Sequence, residues 1–541
     1  MKNAKRIIAL MLTVVMVLLT MAIPASAATE IDPSEGPLQR IEATFYRVID
    51  SLVNAILKVL NLIIPGLNMG DKWVNFDDYA SPDGFYAGEE TFDTEVADGA
   101  QWSAGYAYAS LLEGLNIYDG SFYMGGTLEP ISGRVPTKVI DDQGVNVYAL
   151  SDGTSGVVVQ AVIDGYGLAR GDVLEIRNRL ADFAEENNII SINVSVLHQH
   201  SCIDILGMGA PLVPAILVNP ALSVIGADTN KFIGGKSTVF MNNMYEVVSN
   251  AIMTAVNDME AGTLYYGSVD ASELIHDKRN PIVFDGELHR FRFDPDDEAS
   301  NEIWLCEAGI HCVGFGAGPD VISADFPYYF KEYVKETTGA DVVYAQGAEL
   351  AITTEYETIV TEEDTDEVRV AAYGKALAEK AIAITEEVEL EPVLNVKFSE
   401  VAINADNQIL TLAVREGLLN SIVTKKPFGY NIMTEIGYME LGNKVGIVFI
   451  PGEVAPEIIW GGVVGADKSW TNETWDYSSM KDTSGIEKLL CFGLNNDQIG
   501  YIIPDNDIHS MFTENEEINA ASTQSASALT EAFEALIATV K

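Results

Sequence analysis

The sequence predicts an α/β protein in which a mixed β-sheet core is flanked by helices. From about residue 105 onward, short apolar runs typical of buried strands alternate with longer segments of helical spacing. The chain has 541 residues, of which 48% are hydrophobic, so it can bury a sizeable core. Polar residues that could bind a metal or take part in catalysis follow several of the strand-like runs. In open α/β sheets, functional sites collect at strand ends.

The first 27 residues have the three parts of a secretory signal. Lys2, Lys5 and Arg6 form a positive end, residues 7–23 are almost wholly apolar, and Ala25-Ser26-Ala27 offers small residues for cleavage. A retained membrane anchor is the alternative, and no cysteine follows the apolar stretch to carry a lipid. We therefore expect the protein to be secreted or associated with the cell envelope.

Residues 28–100 are predicted to form a helical N-terminal extension and a linker. Within them, 38–65 place apolar residues at helical spacing and end at Pro65. This helix either docks on the following domain or makes a peripheral contact with a membrane. The stretch from 70 to 100 is rich in Asp and Gly, which is typical of a linker or surface loop.

The remaining elements follow from apolar runs for strands and from 3.6-residue periodicity for helices. The predicted strands are 157–163, 189–197, 263–268, 303–312, 342–345, 444–450 and 489–494. The predicted helices are 172–187, 239–259, 326–337 and 365–386.

Charge and cysteine content exclude two classes of protein. Acidic side chains outnumber basic ones by 80 to 32, a formal net charge of −48, whereas nucleic-acid binding needs clustered Lys and Arg. The four cysteines (Cys202, Cys306, Cys312 and Cys491) have no CxxC spacing and form no disulfide framework. We expect no nucleic-acid partner, and we interpret the cysteines beside histidines as small apolar fillers.

Two of the six histidines, His198 and His200, follow a run with period-two alternation at 190–196. If the chain stays extended, both point the same way, about 6–7 Å apart. Neutral imidazole suits Zn²⁺, so the pair is a plausible start for a metal site. The alternative is a pair of surface or hydrogen-bonded histidines.

Three more polar residues lie at predicted strand ends. His311 ends one strand, Glu453 follows the 444–450 strand, and Tyr501 comes after the 489–494 strand. Two histidines, one carboxylate and an open position would make a catalytic zinc set. A strand end can also carry a polar residue without any function, so the pattern alone leaves this open.

Five segments in order resemble the neutral/alkaline (non-lysosomal) ceramidase family over most of residues 105–540. They are His198-Gln199-His200-Ser201, the loop Ile275 to Pro281, the stretches Phe291 to Phe293 and Ile322 to Pro327 that flank the family's second histidine, Pro451-Gly452-Glu453, and Gly493-Leu494-Asn495-Asn496 with Tyr501. The resemblance implies a ceramidase-like catalytic domain over 101–541, without room for the family's C-terminal β-sandwich.

The resemblance also implies a zinc ion held by His198, His311, Glu453 and Tyr501. His200 and Arg279 would steady the substrate carbonyl or its oxyanion, although Arg279 can equally be an ordinary salt-bridged arginine. The implied activity is hydrolysis of an amide bond in a small-molecule or lipid substrate, with ceramide as the leading candidate. His276, His289 and His509 match nothing and are interpreted as ordinary polar residues.

One departure from the family concerns the nucleophile. Where ceramide-cleaving members have Gly-Asp-Val-Ser-Pro, residues 346–354 contain no serine or proline. Thr353 or Thr354 could supply a hydroxyl, or Glu349 could act on water at the zinc. We predict direct attack by zinc-bound hydroxide assisted by His200. Three alternatives remain: an esterase or amidase for another substrate, a non-catalytic relative that binds lipid or glycan, and a structural envelope protein.

Overall fold

The structure is a computed structural model that describes most of the chain after residue 73. The described ranges are 74–127, 133–211, 236–356, 359–361, 364–415, 417–427, 429–508 and 517–541. The predicted signal at 1–27, the predicted helix at 38–65 and His509 therefore lie outside the described residues. Of the predicted linker, 74–100 consists of a short strand, a 3₁₀ turn and loops.

Strands and helices alternate along the described chain. The strands are β1 (Val74–Asn75), β2 (Ser103–Ser110), β3 (Lys138–Val139), β4 (Gly144–Ser151), β5 (Val157–Ile163), β6 (Ile189–Val196), β7 (Glu260–Asp270), β8 (Ile275–Asp277), β9 (Glu287–Pro295), β10 (Ile303–Ala308), β11 (Val321–Ile322), β12 (Asp341–Gln346), β13 (Ile352–Thr354), β14 (Val388–Leu390), β15 (Leu394–Asn404), β16 (Ile422–Lys426), β17 (Gly429–Leu441), β18 (Val445–Phe449), β19 (Glu453–Val454), β20 (Lys488–Phe492) and β21 (Tyr501–Ile502). The helices are α1 (Arg170–Arg179), α2 (Ala181–Glu186), α3 (Thr238–Asn257), α4 (Asp325–Thr338), α5 (Asp366–Ile382), α6 (Gln408–Arg415), α7 (Pro456–Trp460), α8 (Met480–Ser484) and α9 (Ser525–Val540).

Two mixed sheets form the core of the described chain. The larger has nine strands in the order β12-β10-β9-β7-β2-β4-β5-β6, with β14 added beside β7. It is parallel only at its two ends, between β12 and β10 and between β5 and β6. The smaller has six strands in the order β1-β16-β17-β18-β20, with β15 beside β17. Helices α3, α4 and α5 pack against the larger sheet, and α9 packs against the smaller one. The predicted α/β class with a mixed sheet is confirmed.

The larger sheet curls until its two end strands meet. The side-chain amide of Gln346, at the end of β12, donates to the carbonyl of Leu197 just after β6, at 3.1 Å. The loop after β20 closes the remaining gap, because Gly493 N donates to Gln346 O at 3.0 Å and Asn496 N to Val194 O at 2.8 Å. The ends of β6, β10, β12, β18 and β20 are thereby brought to one place, although the strands belong to two different sheets.

Two predicted elements differ in detail from the structure, and several strands were not predicted. The helix predicted at 172–187 is two helices, α1 and α2, because Leu180 leaves the helical conformation at φ −100° and ψ 5°. The strand predicted at 303–312 ends at Ala308, before His311. The long pair β15 and β17 was not predicted. Most of β17 is buried on both faces, so the strand lacks the period-two alternation by which a half-buried strand is recognised.

No helix among the described residues is both long enough and apolar enough to cross a membrane.

The apolar core is divided among clusters that follow the sheets. One includes residues of β7, β9, β10 and β12 together with residues of the smaller sheet, and another includes residues of α3 and of the strands β4, β5 and β6. A third lies between the smaller sheet and α9.

Candidate metal centre and its cavity

The two histidines that follow β6 lie close together, but the backbone between them is not the extended strand that the sequence predicts. The strand ends at Val196, and His198 has a left-handed backbone with φ 55°, so the chain does not stay extended. The two rings are nevertheless 5.1 Å apart between centroids. A left-handed conformation costs energy in a non-glycine residue, and such strain is concentrated at functional sites.

Each of these rings is oriented by a backbone carbonyl. Nδ1 of His198 lies 2.7 Å from the carbonyl oxygen of Tyr166, and Nδ1 of His200 lies 2.8 Å from that of Ala317. A carbonyl can only accept, so Nδ1 carries the hydrogen in both rings and Nε2 keeps its lone pair. This arrangement is the one that metal-binding histidines use, with one nitrogen anchored and the other free to ligate.

The third histidine, His311, lies three residues beyond β10 and completes the cluster. Its Nε2 is 3.2 Å from Nε2 of His200, and its ring centroid is 4.6 Å from that of His198. The loop is held in place by a backbone hydrogen bond from His311 N to Ile352 O at 3.1 Å. Three imidazoles from two ends of one curled sheet therefore share a single pocket.

Two glutamates face these histidines. Glu453 begins β19, which pairs in parallel with β21 so that Glu453 is level with Tyr501. Its Oε2 lies 3.4 Å from Nε2 of His198. Glu349 follows β12, and its Oε2 lies 3.9 Å from Nδ1 of His311. One ligand atom from each of His198, His311, Glu349 and Glu453 lies within 4.8 Å of the other three.

This set of donors fits a bound metal ion. Oxygen Oε1 of Glu349 is buried and has no hydrogen-bond partner, which is costly for a carboxylate. Two histidine nitrogens and carboxylate oxygens in one small volume are typical ligands of Zn²⁺. A divalent cation among them would compensate the two acids and use the free imidazole lone pairs.

Burial controls the protonation of these groups. Burial, followed by repulsion from the neighbouring imidazoles, holds the pKa of His198 well below its ordinary value. The same causes lower the pKa of His311, and burial lowers that of His200 to about 4. All three rings are therefore neutral at pH 7, which is the form that binds metal. Burial and then the charge of Glu453 raise the pKa of Glu349 well above its ordinary value.

A cavity of about 900 Å³ opens beside the cluster. His200, His311, Tyr501, Thr353 and Thr354 all border it, so the structure places both candidate hydroxyls beside the histidines. The cavity is within the usual range of sites for small molecules. Its wall also includes apolar groups and basic side chains, namely Val313, Phe315, Leu350, Ile352, Lys278 and Arg369.

Arg279 borders the same cavity, but its guanidinium is held by two acids. It donates to Oε1 of Glu457 and, at 2.7 Å, to Oδ2 of Asp507. Burial of an arginine requires such partners, since an unpaired buried charge is costly. The alternative of a salt-bridged arginine describes this geometry. The predicted contact with the substrate oxyanion stays a prediction.

Several residues that shape the site are not predictable from the sequence. The carbonyls of Tyr166 and Ala317 leave no signal in a sequence, because any residue can supply a backbone oxygen. The pairing of Arg279 with Glu457 and Asp507 was equally hidden. By contrast, Gln346 could have been recognised from the sequence, because it is a polar residue at the end of an apolar strand. Its side-chain amide donates to Oε2 of Glu349.

Comparison with known proteins supports the fold. No family model and no curated protein matches the sequence. The neutral ceramidase from Pseudomonas aeruginosa has a similar structure, with a TM-score of 0.58 and 14% sequence identity over 81% of this chain and 74% of that one. A ceramidase complexed with C2 is similar too, with a TM-score of 0.58 and 12% identity over 81% and 75% of the two chains. The chain therefore has a ceramidase-like fold.

Proposed function

We propose that this protein is an exported, zinc-dependent hydrolase that cleaves an amide bond in an N-acyl lipid. The observation that carries the proposal is the convergence of His198, His200, His311 and Glu453 at the wall of a large cavity, on a ceramidase-like fold. Ceramide or a related N-acyl sphingoid is the leading substrate. Export rests on the signal predicted at 1–27.

Zinc is assigned to His198, His311, Glu453 and Tyr501. The two histidines supply neutral nitrogens, and Glu453 supplies the negative charge that a dication needs. Tyr501 lies level with Glu453 across the β19–β21 pair and borders the cavity, a position that supports its place in the set. When bound, zinc would polarise the scissile carbonyl and make water more acidic.

His200 is assigned the proton transfer. The carbonyl of Ala317 fixes its Nδ1–H, so Nε2 is the nitrogen that can take a proton from attacking water. The same nitrogen would then deliver that proton to the leaving amine, which restores the neutral ring. Burial lowers the pKa of His200 to about 4, so the ring is neutral at pH 7 and Nε2 carries its lone pair.

Water, rather than a side-chain hydroxyl, is proposed as the nucleophile. Thr353 and Thr354 border the cavity, and Thr353 is level with His276 in the β8–β13 pair. Thr354 lies beside the hydroxyl of Tyr356, and burial raises the pKa of that phenol to about 12, so it is not a base at neutral pH. We therefore assign Thr353 to substrate contact, and Arg279 to positioning the segment that carries Lys278 into the cavity.

The test combines metal content with hydrolysis. The purified protein should contain one zinc per chain and cleave a fluorescent N-acyl sphingosine. His198→Ala and Glu453→Ala should each lose zinc and reduce the rate by on the order of 10³-fold or more, since the metal carries the charge stabilisation. His276→Ala is the matched control, because that histidine is exposed and 3.8 Å from Glu355 outside the cluster.

Two results would contradict the proposal. One is a purified protein that is folded, contains no zinc and cannot be loaded with it. The other is His198→Ala protein that has lost zinc but hydrolyses the substrate at the rate of the unmodified protein. Zinc binding without hydrolysis of any N-acyl lipid would favour the non-catalytic relative.

A further inference from the structure

A second cluster of possible metal ligands lies at the start of β9, away from the cavity. Asp285, Glu287 and His289 alternate along the chain, so the two within β9 share a face of the strand. One ligand atom from each of the three residues lies within 4.8 Å of the others. His289, whose sequence context predicts an ordinary polar residue, is buried at 2% exposure.

A fourth residue points into this cluster from the neighbouring strand. Glu307 on β10 is directly opposite His289 in the antiparallel register. Its side chain is buried, and its Oε2 lies 3.9 Å from Nε2 of His289 without any hydrogen-bond partner. A buried carboxylate oxygen that faces a ring nitrogen and makes no hydrogen bond indicates a missing positive partner.

We propose that Asp285, Glu287, His289 and Glu307 bind a divalent cation at a site separate from the histidine centre. One imidazole nitrogen with carboxylate oxygens suits Mn²⁺, Zn²⁺ or Fe²⁺. The orientation of the ring agrees, since Nδ1 of His289 lies 2.8 Å from the hydroxyl of Tyr266. That contact fixes the ring through one nitrogen and leaves Nε2 towards the acids.

Hydrogen bonding alone does not satisfy the cluster. Nε2 of His289 lies 3.0 Å from Oδ2 of Asp285 as well as 3.9 Å from Oε2 of Glu307. A proton on Nε2 can serve Asp285 but leaves Glu307 buried without a donor. A cation between them would serve both acids at once.

The site is open to solvent on one side. The side chains of Asp285 and Glu287 are 19% and 38% exposed. Glu287 also pairs with Lys488, whose Nζ is 2.8 Å from its Oε2. A cation can therefore arrive from solvent without opening the sheet. Once bound, it would tie Asp285 to β9 and β10, and with it the segment from Lys278 that borders the cavity.

The test uses Mn²⁺ as the probe on the full-length protein. His198→Ala protein, in which the histidine centre is impaired, should still bind one Mn²⁺ per chain, measured by electron paramagnetic resonance of free Mn²⁺. Adding Glu307→Gln or His289→Gln should weaken this binding by about tenfold or more. Asp294→Asn is the matched control, because Asp294 lies on the same strand but is exposed beside Arg292.

Circular dichroism and thermal melting of each variant separate loss of the site from loss of the fold. Glu287→Gln provides a milder change, since this side chain is partly exposed. Equal Mn²⁺ affinity in His198→Ala protein with and without folded Glu307→Gln or Glu287→Gln would overturn the proposal. So would the absence of any Mn²⁺ binding in folded His198→Ala protein. The hydrolase proposal is unaffected by either outcome.

Discussion

Among the described residues, the arginine cluster beside the smaller sheet and the histidine centre are both buried, and they are built in opposite ways. Where α1 meets the smaller sheet, Arg170 and Arg177 are paired with Glu400 and Glu435. Arg177 Nη2 is 2.7 Å from Oε1 of Glu435, and Arg170 Nη2 is 3.4 Å from Oε2 of the same residue. Each of these two arginines is paired with an acid, so the charges of this arginine cluster are compensated within the chain.

The histidine centre lacks this internal compensation. The two glutamates lie beside histidines that are neutral at pH 7. In addition, His200 lies beside His311, and Glu349 lies beside Glu453. Groups of the same kind do not stabilise one another in a buried site. The buried ion pairs of the arginine cluster thus hold the two sheets together. The buried groups of the same kind in the histidine centre instead indicate a binding site for a cation from outside the chain.

The largest expected effect is on folding, in the arginine cluster. Arg177→Ala leaves Glu435 buried with one partner fewer and also removes the hydrogen bond from Nε to Ile192 O. We expect a loss of about 3–5 kcal/mol in the free energy of unfolding. Urea unfolding followed by circular dichroism measures it. Arg179→Ala, which breaks an exposed pair with Glu175 on the same helix, should cost no more than about 0.5 kcal/mol.

If Arg177→Ala and Arg179→Ala cost the same, the buried pair would contribute nothing and the comparison would fail. Hydrolysis per folded molecule should be unchanged in both variants, because neither arginine borders the cavity.

The next effect is on catalysis, in the histidine centre. His200→Ala should retain zinc but reduce the rate by on the order of 10²-fold or more, the usual contribution of an acid–base group. Its free energy of unfolding should change far less than that of Arg177→Ala, since His200 takes part in no charge pair. Unchanged hydrolysis with zinc bound would contradict the assignment of proton transfer to this residue.

A smaller effect concerns pH and an acid at the border of the arginine cluster. Asp497 accepts a hydrogen bond from Arg170 N at 2.9 Å, and burial raises its pKa from 3.8 to about 6. Because the pKa of Asp497 is higher in the folded protein, its protonated carboxyl contributes to the free energy of unfolding. This contribution is fully present below about pH 3.8 and is lost as the pH rises through about 6. Asp497→Asn should therefore stabilise the protein at pH 7, by up to about 3 kcal/mol, and not at pH 4.

Urea unfolding at both pH values measures this difference. A constant difference between Asp497→Asn and the unmodified protein from pH 4 to pH 7 would show that the carboxylate is not the cause.

The smallest effects are expected at the two threonines. Thr353→Ala and Thr354→Ala should each keep most of the hydrolytic rate, within about threefold, since neither hydroxyl is the proposed nucleophile. Steady-state rates at saturating substrate measure this. Complete loss of activity in one of them, with zinc bound and the fold intact, would instead assign that hydroxyl the attack.

Local pattern accounts for much of what could be predicted. The strands at 157–163 and 189–197 and the helix at 326–337 were recognised because periodicity is a property of neighbouring residues. The order of the segments around His198, His311 and Glu453 was enough to expect a shared site. The two halves of the arginine cluster were not recognised, since α1 and β17 are far apart in the chain.

By itself, the sequence determined the α/β class, the positions of most strands and the candidate residues at their ends. Only the tertiary structure decided that Glu349 faces Glu453 and that Glu307 faces His289. It also decided that Arg279 is held by two acids. The physical reason is that a strand forms from its own residues, whereas the partner of a buried side chain depends on how distant strands curl and pair. No local period encodes that choice.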